Sequence, residues 1–253
     1  MPGIDLLLDL SARPVLGHRG ASGLRPENTL AAFALARDLG VDGLEFDVRM
    51  SADGVPVVHH DPTLERTTNL KGPVRARTAR ELGRADTGGG EGVPTVAEVL
   101  EATGDLPLLI ELKEAEATLP LLDAVRRAGA AGRVMIASFL RAAVAPLRGT
   151  GIPLGACRPD IVGAALGAAI GWPPGRVPFQ AYAVPTRWRD LIAVPTRRFV
   201  RRARRQGCPV HVWTVDDPRE AHRHWGLGVA GILTNRPDLI LAARDAAGRH
   251  PAG

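Results

Sequence analysis

The chain has 253 residues, with 32 Lys and Arg against 27 Asp and Glu and a formal charge of +5, a balance that suits anionic ligands or surfaces. Hydrophobic residues make up 45% of it and aromatic ones only 4%, so the core must be aliphatic and a base-stacking platform for nucleic acid is excluded, as are zinc-finger, RNP-type and basic-zipper patterns, none of which occurs. The two cysteines, Cys157 and Cys208, make no disulfide framework and read as buried thiols, and no run is long and apolar enough to cross a membrane as a helix.

Residues 4–10 form a short apolar run with Asp5 and Asp9 inside it and no basic lead, which does not read as a signal peptide and suggests a cytoplasmic protein. Residues 15–18 read as a strand. A helix begins near Asn28, carries Leu30, Phe33, Ala34 and Leu35 at apolar spacing, and stops at Gly40. Residues 43–48 are the next strand, Asp53-Gly54 a tight turn, and 55–59 the return arm of a hairpin. Residues 62–94, rich in Thr, Arg, Gly and Pro, read as a small insertion. Alternation resumes with a helix from Thr95 and strands at 106–112, 134–137, 154–157, 179–183, 209–214 and 231–234. Helices at 119–128, 199–206, 218–225 and 239–247 fall among them.

Apart from the hairpin return arm, each strand is followed by a helix or helix-like connection. That pattern predicts a (β/α)8 TIM barrel, one domain over residues 1–253 with its insertion at about 62–94. An open doubly wound sheet is the alternative. Chemistry-bearing residues at the ends of the first, second, third and seventh strands favour the barrel, which gathers all strand ends on one face.

Glu45 and Asp47 are two apart on a strand and so share a face. Two carboxylates buried together need compensation, and a hard divalent cation supplies it; exposure on a sheet edge or pairing with arginines is the alternative. Glu111 and Lys113 repeat the spacing on the third strand, as a further ligand with a phosphate-reaching amine or as an internal ion pair. His18-Arg19-Gly20 ends the first strand, and Gly20 permits positive φ or close backbone approach. His60-Asp61 offers a second imidazole with a carboxylate to orient it, while His59 beside it faces the other way. Trp213 and Phe139, at the ends of the seventh and fourth strands, are either walls for a small organic group or core packing. The arginine run from Arg197 to Arg205 makes a basic amphipathic helix: a solvated face, or one drawn weakly to an anionic membrane. Residues 163–172 either line a lipid-accepting mouth or pack as helix.

With these residues placed, the chain resembles the glycerophosphodiester phosphodiesterases from about residue 15 to 238. The likeness rests on Gly17-His18-Arg19-Gly20, Pro26-Glu27-Asn28-Thr29, the stretch from Gly43 through Asp47, Asp53-Gly54 and His60-Asp61-Pro62-Thr63-Leu64. It continues through Arg66-Thr67-Thr68, Pro94-Thr95, Glu111-Leu112-Lys113 and Trp213-Thr214-Val215. Each motif alone is weak; their order and spacing together are specific. The resemblance implies a barrel with a small insertion, Mg2+ or Ca2+ on Glu45, Asp47 and Glu111, and His18 with His60 as the acid–base pair. It resolves the His59/His60 choice toward His60, puts Arg19 and Lys113 on the phosphate, and gives Glu27 and Asn28 to the first loop or the metal surroundings. Glycerol 3-phosphate and an alcohol would be the products of a glycerophosphodiester substrate. Where similar proteins often have Asp this chain has Asn235, read as a loop cap after the eighth strand. The rivals are a lysophospholipase D or phosphoinositide-type phospholipase on the same barrel, and a non-catalytic barrel that binds a phosphorylated metabolite.

Overall fold

The computed structural model describes residues 3–188, 192–246 and 248. In chain order, α1 (Asp5–Leu8) is a single turn, β1 (Val15–His18) follows, and α2 (Leu30–Asp38) starts where the Thr29 hydroxyl accepts from the backbone N–H of Ala32. β2 (Gly43–Met50) and β3 (Pro56–Val58) pair antiparallel as the expected hairpin. α3 (Ala79–Leu82) lies in the insertion and α4 (Val96–Ala102) after it; both open with a Thr–Glu capping box, Thr78/Glu81 and Thr95/Glu98. Then come β4 (Leu108–Leu112), α5 (Thr118–Arg127), β5 (Val134–Ala137), α6 (Arg141–Val144), α7 (Arg158–Ala169) and β6 (Tyr182–Pro185). A two-residue pair, β7 (Arg187–Trp188) and β8 (Ile192–Ala193), precedes α8 (Arg197–Arg205), β9 (Val210–Trp213), α9 (Pro218–Leu227), β10 (Gly231–Thr234) and α10 (Pro237–Ala246). The last helix was expected to reach Ala247, which lies outside the described residues.

The strands run β5-β4-β2-β1-β10-β9-β6, all parallel, with β3 attached beside β2. The ring closes through residues 154–156. This segment was expected as a full strand but makes only isolated pairings, Ile136 with Leu154 and Gly155 with Ala181. Two local features explain the short pairing. Pro153 has no N–H to donate. Gly155 lies so close to β5 that a Cβ there would fall 2.7 Å from the Cβ of Ala137. The next strand is likewise displaced: Gln180 and Ala181 bond to this segment, and the ladder with β9 begins only at Tyr182.

Alternation splits each strand between two cores. Leu44, Phe46, Val48, Leu108, Ile110, Val134, Ile136, Val210, Val212 and Ile232 face outward and pack under the helices. Leu16, Leu109, Met135, Ala137, Ala181 and Leu233 face into the barrel, where Ile4 and Leu7 close its N-terminal end. The segment between β3 and α4 has its own small cluster, with Leu64, Val74, Leu82 and Val93 packed on Val57 of β3. Both cysteines are buried and free. Among the described residues no helix is long and apolar enough to cross a membrane.

Candidate active site

Strand register assembles the cluster. His18 of β1 lies opposite Glu45 of β2, and Asp47 of β2 lies opposite Glu111 of β4. Each of these side chains therefore points into the C-terminal end of the barrel. Glu45, Asp47 and Glu111 each offer an oxygen within 4.8 Å of the others. Two oxygens about 2.4 Å from one hard cation lie no more than about 4.8 Å apart, so the three can share an ion.

The electrostatics show what this convergence costs. Burial, then the charges of Asp47 and Glu111, push the Glu45 carboxyl well above its ordinary range. Burial also raises Glu111, with Lys113 opposing and Asp47 adding to the rise. Burial would raise Asp47 too, but Lys113 and Arg19 outweigh it and pull it down to about 2. Lys113 Nζ bridges Asp47 Oδ1 and Glu111 Oε2 at 2.9 Å each, while Arg19 Nε lies 3.1 Å from Asp47 Oδ2. Lys113 is thus shared between two carboxylates, and Asp47 Oδ1 is buried against it. Two buried carboxylates and a half-buried third, converging where burial opposes the charge of Glu45 and Glu111, fit a divalent cation.

The loop after β1 is held in an uncommon backbone form. Arg19 has φ 56°, and its N–H reaches both the carbonyl and Oε2 of Glu45, at 2.9 and 3.1 Å. Gly20, at φ 80°, passes so close to α2 that a Cβ would meet the Ala32 backbone at 2.6 Å. Asn28, at φ 59°, donates from its backbone to the Arg19 carbonyl and from Nδ2 to Asp47 Oδ2 at 3.0 Å. The non-glycine residues here carry a strain on the order of 1 kcal/mol each, which these bonds hold in place.

The two imidazoles are oriented differently. His18 Nδ1 lies 2.8 Å from Asn235 Oδ1, and Asn235 is itself aligned because its Nδ2 donates to Asp216 Oδ2 at 2.9 Å. With Oδ1 turned toward His18, Nδ1 is the donor and Nε2, 3.8 Å from Glu45 Oε2, carries the lone pair. Burial, then Arg19, lower the His18 pKa. His60 Nδ1 instead lies 2.6 Å from a carboxylate, Asp61 Oδ1. Arg66 Nε holds the other Asp61 oxygen at 2.5 Å, and the same guanidinium grips Glu27 through two bonds of 2.8 Å. Hydrogen bonding to Arg66 keeps Asp61 below the carboxylate range. His59 is turned away, its nitrogens against the Asp61 carbonyl and Thr67 Oγ1.

A cavity of about 340 Å3 opens over these groups. His18, Arg19, Glu45, His60, Glu111 and Lys113 line it, together with Leu109, Phe139, Leu140, Trp213 and Leu233. Phe139 and Trp213 meet edge to face, 6.0 Å between centroids. All nine residues singled out in the sequence thus come together, with Asp47 just beneath the lining. Four others were missed. Asn235 is no mere loop cap, since its side chain carries His18; its place directly after β10 was the available signal. Arg66 stood in the Arg66-Thr67-Thr68 motif of the likeness but was given no role; Asp216 and Arg158, whose guanidinium lies 5.7 Å from the centre of the Phe139 ring, had no signal beyond residue type.

A parallel barrel whose strand ends present two imidazoles, three carboxylates and two cations around a small cavity defines an enzyme that acts on phosphate esters. The model of the Glycerophosphoryl diester phosphodiesterase family matches residues 18–142 and 180–239, and the chain belongs to that family. A glycerophosphodiester phosphodiesterase of Caldanaerobacter subterraneus is 32% identical over 247 residues, covering 90% of this chain and 96% of that protein. Among solved structures, the glycerophosphodiester phosphodiesterase of Agrobacterium tumefaciens is 30% identical with a TM-score of 0.72, covering 91% of this chain and 99% of that one. The Thermotoga maritima glycerophosphodiester phosphodiesterase is 29% identical with a TM-score of 0.73, covering 92% and 98%.

Proposed function

We propose that this protein hydrolyses glycerophosphodiesters to glycerol 3-phosphate and a free alcohol, with residues 1–253 working as one barrel domain and 62–94 as its insertion. The observation that carries the reading is the convergence of His18, His60, Glu45 and Glu111, with Asp47 beneath them, on one cavity of about 340 Å3. Bound to Glu45, Asp47 and Glu111, a divalent cation would neutralise charge on the phosphodiester. Arg19 and Lys113 grip its non-bridging oxygens and hold the added charge of the transition state.

His18 accepts the proton of the nucleophile at Nε2, because Asn235 claims its Nδ1–H and offers no charge to stabilise an imidazolium. His60 gives a proton to the departing alcohol from Nε2, its ring being oriented by the Asp61 carboxylate at Nδ1. Trp213 and Phe139 wall the alcohol side. Glu27 and Arg66 lock the loops that carry Arg19 and Asp61.

The test is release of glycerol 3-phosphate from glycerophosphocholine, glycerophosphoethanolamine and glycerophosphoglycerol by metal-stripped protein, with Mg2+, Ca2+ or chelator added back. Metal-restored release is expected. No release from folded protein with either cation would refute the proposal. Marked preference for lysophosphatidylcholine would replace it with a lysophospholipase D activity, a reading that the apolar lining residues Leu109, Leu140 and Leu233 favour.

A further inference from the structure

Two sequence features play no part in that chemistry: the apolar stretch at 163–172 and the arginine run of α8. The fold sets them side by side. Phe199, Val200 and Ala203 turn one face of α8 into the core, and the arginines occupy the rest. Arg198 Nη1 donates to the Ala169 carbonyl at 3.2 Å, and Arg202 Nη1 donates to the Trp172 carbonyl. The Arg202 guanidinium lies flat against Gly167, where a Cβ would come within 3.0 Å of it. These two arginines stitch α8 to the end of α7. Arg201 and Arg205 line the resulting groove and have no carboxylate partner among the described residues.

The other wall is apolar and open. Ile170 is 76% exposed and Trp172 67%, and Leu166, one turn before Ile170 on α7, is 63% exposed. Ile170 and Trp172 line the same groove, and Leu166 lies four residues before Ile170, on the same side of the helix, so the three are neighbours. Among the described residues no acidic one lines the groove. We propose that this surface docks the protein on the anionic headgroups of a phospholipid bilayer. Arg201 and Arg205 meet lipid phosphates, and Leu166, Ile170 and Trp172 enter the boundary with the acyl chains. Cationic side chains beside Trp and aliphatic ones are the pairing that an interface demands: charge attracts at long range and apolar burial holds at contact. Nucleic acid fits less well, because Leu166 and Ile170 offer nothing to a phosphate or a base edge and Trp172 is a single stacking platform. The proposal is independent of the catalytic reading.

Co-sedimentation tests it. The protein is expected to pellet with phosphatidylcholine vesicles containing about one third phosphatidylglycerol, not with phosphatidylcholine alone, and less as salt rises. Arg201→Glu with Arg205→Glu should lower partitioning by roughly tenfold or more, and Trp172→Ala by roughly threefold. Neither change should alter hydrolysis of a soluble glycerophosphodiester, which also reports that the variants fold. Folded wild type that pellets no better with the anionic vesicles overturns the proposal, as does a double variant that pellets like wild type. Tighter Arg201- and Arg205-dependent binding to a short DNA duplex than to the vesicles would overturn it in favour of nucleic acid.

Discussion

The two ends of the barrel interior are made by the same strands and have opposite chemistry. On two strands a step of two residues converts one into the other: Leu16 to His18 on β1 and Leu109 to Glu111 on β4. The N-terminal end is apolar and sealed by Leu7 of α1. Even its histidine is silent. His211 donates from Nε2 to the Leu7 carbonyl at 2.8 Å, its Nδ1 has no partner, and burial holds its pKa down to about 4. The C-terminal end packs three carboxylates and two cations into one cluster and keeps Arg19 and Asn28 in left-handed backbone. One half supplies the stability that offsets the strain and repulsion of the other.

If that division is right, substitutions at the two ends should separate activity from stability. The largest effect belongs to the acid–base pair. His18→Ala and His60→Ala should each lower kcat/KM by roughly 10²–10⁴-fold while leaving the thermal midpoint almost unchanged. A phosphodiester with a nitrophenyl leaving group should recover much of the loss in His60→Ala and little in His18→Ala. Equal recovery in both would erase the assignment of acid and base. At the opposite end Leu16→Ala, two residues below His18, should cost about 2–5 kcal/mol in urea unfolding and leave kcat nearly intact. A comparable fall in kcat would mean the two ends are coupled.

His211 sharpens the same contrast through pH. Its folded pKa is below its unfolded value, so as pH falls the unfolded chain takes up the proton first. Its contribution to stability is whole above about pH 6.5 and declines as pH drops toward about 4. His18 and His59, also lowered mainly by burial, act in the same direction. His211→Gln should therefore narrow, without abolishing, the gap between urea midpoints at about pH 7.5 and about pH 4.5; an unchanged gap would remove His211 from the account. The smallest effect is expected two residues above it. Trp213→Ala should raise KM by about tenfold, on the order of 1.4 kcal/mol, with little change in kcat. A fall in kcat of similar size would place the indole in the transition state instead of the wall.

Much of this was legible before any coordinates. Two-residue spacing put Glu45 with Asp47 and Glu111 with Lys113 on common faces, because side-chain alternation is a local property of a strand. The Asp53-Gly54 turn and the Gly40 helix stop are local too, and both stand. Alternation could set His59 and His60 on opposite sides but not say which faced the cavity; the family likeness favoured His60, and His60 is the one that lines it. The strand expected at 154–157 was overread, because its propensity says nothing of how closely Gly155 must pass Ala137.

What the sequence determined alone, then, is whatever the period of a strand or helix encodes: the order of elements, their inward faces and the charges set on them. Tertiary structure decided what depends on residues far apart meeting in space. Asn235 holds His18 across 217 positions and Arg66 grips Glu27 across 39, and the stretch at 163–172 forms a single surface with the arginines of α8. Such contacts follow from barrel closure and strand register, and no local pattern along the chain records either.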